Sequence, residues 1–188
     1  QKTNHYKRLW VEKNKVALII GIEDYENTTA NVKHARNDAN VFYDFARKKL
    51  GVSNDRIKVI TDEEADLKGV WLSVKNWLNR LSVKDKTDVF IFYAGHGLST
   101  DNGKDMFILP YDGEMTLLNK TAISRSDIFN EVSAAGPKSV TVFFDTCYSG
   151  LSRGYESLIS ARPIVIKAKK QSVPDNFTVM TAAAGDQT

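Results

Sequence analysis

Five short runs of Val, Ile, Leu and Phe constrain this chain more than any other feature: Val16 to Gly21, Arg56 to Thr61, Val89 to Tyr93, Ser139 to Phe144 and Phe177 to Thr181. They are nearly continuous in apolar residues instead of alternating apolar with polar. That pattern suits strands buried on both faces of a parallel sheet, so helices must cover them. Three helical patterns supply the cover. Ala35, Ala39, Phe42, Phe45, Ala46 and Leu50 recur at helical spacing, with Gly51 as terminator. Leu67, Val70, Trp71, Val74, Trp77, Leu78 and Leu81 form a stripe behind a cap at Asp66. Ser124 and Asp127 resemble a capping box ahead of Ile128 and Val132, and Gly136-Pro137 ends that helix. Strand and helix thus alternate, and right-handed crossovers give an α/β fold: an open, mostly parallel sheet flanked by helices on both faces.

Two stretches break the alternation. Residues 98 to 123, with Asn102-Gly103 and Pro110-Tyr111-Asp112-Gly113, read as a long excursion of turns, and residues 148 to 176 as a polar, basic loop. Loops of that length in a compact domain are usually functional or disordered.

The 188 residues, 42% of them apolar, support one core, so a single domain over 15–188 is expected behind a polar leader, 1–14. A net charge of +3 from 26 basic and 23 acidic residues, without a long block of either sign, gives no case for nucleic acid. No apolar run reaches the roughly 18 residues that would span a bilayer, so no membrane partner is expected. The chain begins with Gln1, which implies an upstream portion; a cytoplasmic location is expected, with export after signal removal as the alternative. A single cysteine excludes an internal disulfide and any multi-cysteine metal site.

In an open parallel sheet, ligands collect beyond the carboxyl ends of the strands. Beyond the third strand comes Tyr93-Ala94-Gly95-His96-Gly97, and beyond the fourth Asp145-Thr146-Cys147-Tyr148-Ser149-Gly150. Alone, Cys147 would pass for a small buried hydrophobe and His96 for a loop histidine bonded to backbone. Together at one sheet edge, beside glycines, they match what a thiol peptidase needs. The thiolate is the nucleophile, the imidazole takes its proton and returns it to the leaving amine, and the N–H groups of Gly97 and Cys147 are plausible oxyanion donors. His5, in the leader, and His34, near a helix start, have weaker claims.

These two segments resemble the catalytic motifs of the caspase-like peptidases, and most closely those of metacaspases and bacterial caspase-family proteins. Ala17-Leu18-Ile19-Ile20-Gly21-Ile22, Tyr25 and Asn37-Asp38-Ala39 add to the resemblance, which covers roughly residues 15 to 188. It implies a caspase-like three-layer sandwich and a cysteine endopeptidase with His96 and Cys147 as its dyad. Metacaspase-like enzymes cleave after Arg or Lys through an acidic S1 pocket. The matching positions are Asp38 and Asp145, with Asp186 at the same sheet edge as a further candidate; a carboxylate suits a guanidinium because it accepts two parallel hydrogen bonds.

Ala94 departs from the serine usual there, and Tyr148 from the histidine, but neither is the nucleophile or the base. The family's last strand would follow Thr188, so a partner chain or a further segment is expected to complete the sheet. Arg153, Arg162, Lys167, Lys169 and Lys170 fall where relatives cut themselves and are candidate self-processing sites. Many metacaspases require calcium. Asp101, Asp105, Asp112 and Glu114 form no recognisable calcium loop, so no metal ligand and no cofactor is assigned, and calcium activation stays open.

Two rivals remain. One is a regulatory or scaffold protein of caspase fold, dormant until a partner binds. The other is a nucleotide-binding doubly wound protein, which would need a glycine-rich phosphate loop where Gly21-Ile22-Glu23-Asp24-Tyr25 stands.

Overall fold

The computed structural model describes residues 14–99, 106–146, 148–150 and 173–182, with the backbone alone at 99 and 148–150. In chain order the main elements are β1 (Lys15–Gly21), α1 (Ala35–Lys48), β2 (Ile57–Thr61), α2 (Leu67–Leu72), α3 (Asn79–Leu81), β3 (Asp88–Ala94), β4 (Gly97–Ser99), β5 (Met106–Ile108), α4 (Leu118–Thr121), β6 (Ile123–Ser124), α5 (Arg125–Ala134), β7 (Ser139–Asp145), β8 (Tyr148–Gly150) and β9 (Phe177–Thr181). The five apolar runs are β1, β2, β3, β7 and β9. They form one sheet in the order β2-β1-β3-β7-β9, parallel throughout, as the continuous hydrophobicity demanded.

Each strand sends alternate residues to opposite faces, and a separate apolar cluster forms on each. On one face Ala17 and Ile19 of β1 and Phe92 and Ala94 of β3 meet Ala35, Ala39, Phe42 and Ala46 of α1. On the other, Val16, Leu18 and Ile20, Val89, Ile91 and Tyr93, and Val140, Val142 and Phe144 meet Val70, Val74 and Leu78 and the Ile128, Phe129 and Val132 stripe of α5. Helix α1 lies close against the sheet because Gly21 carries no side chain: a Cβ there would fall 2.6 Å from the Ala35 carbonyl oxygen and 2.7 Å from Ala39 Cβ. The caps follow the sequence: Asp66 accepts from the Gly69 N–H, and Ser124 from the Asp127 N–H at 3.4 Å.

Three features depart from the sequence expectation. The stripe over 67–81 is not one uniform α-helix, because Ser73–Leu78 between α2 and α3 is π-helical. The stretch 98–123 is not a plain excursion. Its β5 and β6, with β4 and β8, make a second, four-stranded sheet in the order β6-β5-β4-β8, antiparallel except where β4 meets β8. The 148–176 stretch begins as a strand, since 148–150 are β8. Among the described residues, no helix is long and apolar enough to cross a membrane.

Candidate functional site

The second sheet grows from the carboxyl ends of β3 and β7, and it draws the two motifs together. Ala94 pairs with Asp145 at the last rung of the main sheet, the Gly95 N–H reaches the Asp145 carbonyl at 3.4 Å, and Gly97 pairs with Tyr148 at the first rung of the β4–β8 ladder. The residues on either side of His96 are thus matched with residues on either side of Cys147. Cys147 itself lies outside the described residues, as do Asp186, Asp101, Asp105, Arg153, Arg162, Lys167, Lys169 and Lys170. Gly97, expected as an oxyanion donor, opens β4 and is flanked by Ile108 of β5 and Tyr148 of β8.

His96 is half-buried and fixed on several sides. Its N–H donates to Tyr25 Oη at 2.7 Å, and its carbonyl accepts from Tyr93 Oη at 2.9 Å and from the Leu109 N–H at 3.1 Å. The Tyr25 ring packs against the imidazole, with centroids 4.8 Å apart. Imidazole Nε2 lies in hydrogen-bond contact with the Ala30 carbonyl. A carbonyl can only accept, so this contact assigns the proton of the neutral ring to Nε2 and leaves Nδ1 with its lone pair. Burial pushes the His96 pKa below its ordinary 6.5, a shift the Ala30 contact partly opposes, so the ring is neutral at pH 7. Gly95 is required by space: a Cβ there would fall 2.7 Å from both the Tyr25 and the Tyr93 hydroxyls.

Asp38 and Asp145 line one groove of about 280 Å³. Asp38 comes from the first turn of α1 and Asp145 from the end of β7. Between them Phe92, Phe42, Val41 and Phe45 form an apolar lining. Phe42 stacks on Phe92 with centroids 4.5 Å apart and an 18° interplanar angle, while Val41 and Phe45 stay exposed at 60% and 41%. The groove therefore offers carboxylates together with an apolar wall, which suits a cationic head on an aliphatic stem.

Of the other acidic candidates, Asp112 accepts the Leu67 N–H at 2.7 Å, and Glu114 caps the Thr116 N–H at 3.3 Å. Among the described residues, no group of three or more His, Cys, Asp or Glu side chains converges as metal ligands do.

This architecture has known counterparts. A family model described as the caspase domain matches residues 14–188. The chain belongs to the caspase domain family. Metacaspase-1 of Saccharomyces cerevisiae is 30% identical to it over 146 residues, covering 71% of this chain and 33% of the yeast protein. Metacaspase-9 of Arabidopsis thaliana is 28% identical over 145 residues, covering 73% of this chain and 44% of the plant protein. The chain thus spans a third to under half of the length of these curated relatives. A pro-Sf-caspase-1 structure superposes with a TM-score of 0.54 over 90% of this chain and 60% of the other at 12% identity, and a Geobacter sulfurreducens protein with 0.56 over 73% and 52% at 19%. At those identities the likeness shows the caspase fold, an α/β sheet between helical layers.

One contributor to the site carries no side-chain signal. Ala30 acts through its carbonyl, and its neighbours in sequence, Thr29 and Asn31, give no hint of it. The apolar lining of the groove was legible only as core spacing, since Phe42 also belongs to the buried face of α1.

Proposed function

We propose that this caspase-family chain is a cysteine endopeptidase that cleaves after Arg or Lys, with Cys147 as nucleophile and His96 as base. The observation that carries the reading is the pairing of Gly97 with Tyr148, the residues that follow His96 and Cys147 in the chain. The imidazole supports it: with Nε2–H directed at the Ala30 carbonyl, Nδ1 is the nitrogen free to take a proton.

The thiol proton passes to His96 Nδ1 and the sulfur bonds to the scissile carbonyl carbon. The resulting oxyanion is received by the N–H groups of Gly97 and Cys147. Collapse of this intermediate breaks the C–N bond as His96 protonates the departing amine, leaving a thioester on Cys147. Water, deprotonated by His96, then attacks the thioester and releases the carboxylate product and the free thiol. The Ala30 carbonyl holds the ring throughout and stabilises its transient positive charge.

Asp38 and Asp145 form the S1 pocket in this reading, with Asp186 bordering it. The aliphatic stem of Arg or Lys lies along Phe92 and Phe42 while the cationic head reaches the carboxylates. Substrates are proteins or peptides with an accessible basic residue, and Arg153, Arg162, Lys167, Lys169 and Lys170 are its internal equivalents.

Matched fluorogenic peptides ending in Arg, Lys or Asp test the proposal, with wild type and Cys147→Ala, each with and without calcium. Cleavage after Arg or Lys that vanishes in the variant is expected. Cleavage after Asp would remove Asp38 and Asp145 from their role. Failure to cleave under any condition would favour a dormant or scaffold protein of caspase fold.

A further inference from the structure

The imidazole is held by a loop, and the loop is held by a carboxylate outside the site. Residues 22–34 connect β1 to α1 and touch His96 twice, through Tyr25 Oη and the Ala30 carbonyl. Neither contact is local in sequence: they span 71 and 66 residues. The shape of this loop therefore decides where the ring sits.

Asp62, directly after β2, grips both ends of the loop. Its Oδ1 accepts the N–H groups of Glu23 at 2.8 Å and Asp24 at 3.2 Å, where the loop leaves β1. Its Oδ2 accepts from Arg36 Nη1 at 2.9 Å, where the loop enters α1. Arg36 also pairs with Glu23 at 3.5 Å and Asp24 at 3.4 Å, and the Val32 N–H closes on the Glu23 carbonyl at 2.9 Å. Asn31 Nδ2 adds a bond to Asp24 at 2.7 Å. Asp62 is 9% exposed and holds a left-handed backbone angle, φ 43°. A buried carboxylate in a sparsely populated conformation persists only where its surroundings over-determine it, and such residues cluster at functional sites. Charge-assisted bonds to two consecutive backbone N–H groups are a strong and directional restraint.

We infer that Asp62 is a positioning residue for His96: by gripping the Glu23 and Asp24 N–H groups it sets the loop that presents Tyr25 and Ala30 to the imidazole. The inference rests on His96 being the base, yet its geometric content can be read without turnover. The chain has three histidines, so long-range proton–nitrogen spectra of the whole chain resolve the tautomer of each ring.

Asp62→Gly accepts the positive φ and removes the carboxylate, whereas Asp62→Asn keeps an oxygen for both N–H groups and tolerates the same φ. The Gly variant is expected to lose the fixed Nε2–H tautomer of His96, with kcat falling roughly tenfold to a hundredfold at near-constant KM. The Asn variant is expected to restore the tautomer and most of the lost kcat. A Gly variant that melts earlier but keeps the His96 tautomer would overturn the inference, and so would an Asn variant as impaired as Gly. A wild type that cleaves no peptide, while Asp62→Gly still frees the His96 ring, would sink the peptidase reading and leave the clamp standing.

Discussion

Around His96 the holding contacts come from backbone groups and from two tyrosines, whereas the groove beside Asp38 and Asp145 is made of side chains, several of them half in water. On the imidazole side, the Ala30 carbonyl and the Leu109 N–H are backbone groups drawn from distant parts of the sequence, so a substitution at either residue need not remove its contact, whereas the Tyr25 and Tyr93 contacts depend on their hydroxyls. The groove is the reverse: each residue contributes by its own side-chain chemistry, and apart from Phe42 and Phe92, which also belong to the core, each can be exchanged alone. Proton transfer demands a fixed geometry, while recognition of a long, flexible cation tolerates some play. Under the proposed function, the two regions differ as those two tasks differ.

The sharpest way to break this contrast is His96→Ala, which is expected to lower cleavage of an Arg peptide by roughly a thousandfold in kcat, the usual scale for removing a general base, with little change in KM. Steady-state kinetics check it, and a loss confined to KM would contradict the base assignment. Next comes Asp38→Asn with Asp145→Asn. Loss of charge-assisted bonds to the substrate predicts a fall of about tenfold to a hundredfold in kcat/KM for Arg peptides, while alkylation of Cys147 stays at its wild-type rate. If alkylation slows in step, the groove and the imidazole side are not separable.

A smaller effect is expected from Gly95→Ala. The new methyl would meet the Tyr25 and Tyr93 hydroxyls, and overpacking of this kind costs about 1–3 kcal/mol, readable by urea denaturation. The smallest effect is in pH. Burial lowers the His96 pKa below 6.5, so the unfolded chain binds a proton more readily than the folded one. Stability should therefore decline as pH falls below about 6.5, and His96→Gln should decline less; parallel melting curves from pH 5 to 8 would show no such difference if the ring were solvated.

How much of this was legible in sequence depended on whether side chains carried the information. The five strands of the main sheet could be read because burial on both faces leaves a run such as Ala17-Leu18-Ile19-Ile20 without polar breaks. The second sheet could not, because β5 and β6 are three and two residues long and sit among turn residues such as Pro110 and Gly113. The His96 and Cys147 motifs stood out through their glycines and their places after β3 and β7. Ala30 was invisible since any residue supplies a carbonyl. Asp62 resembled an ordinary acidic turn beside Glu63 and Glu64, and its separation from them is a matter of burial and backbone angle, which a lone sequence does not reveal.

Helix α1 has two faces with separate duties. Ala35, Ala39 and Ala46 are spent on the close approach to β1 that Gly21 permits, while Asp38, Val41 and Phe45 look onto the groove. Mutations at 41 and 45 can therefore drift at little cost to the fold, since exposed positions seldom cost much stability, and at the half-buried Asp38 the cost is set by how well the new side chain fills its place. Phe42, shared by both faces, is the exception. If the groove is the S1 pocket proposed above, a lineage built on this helix could explore new cleavage preferences by changing three residues on a single strip, while its ancestral architecture passed down intact.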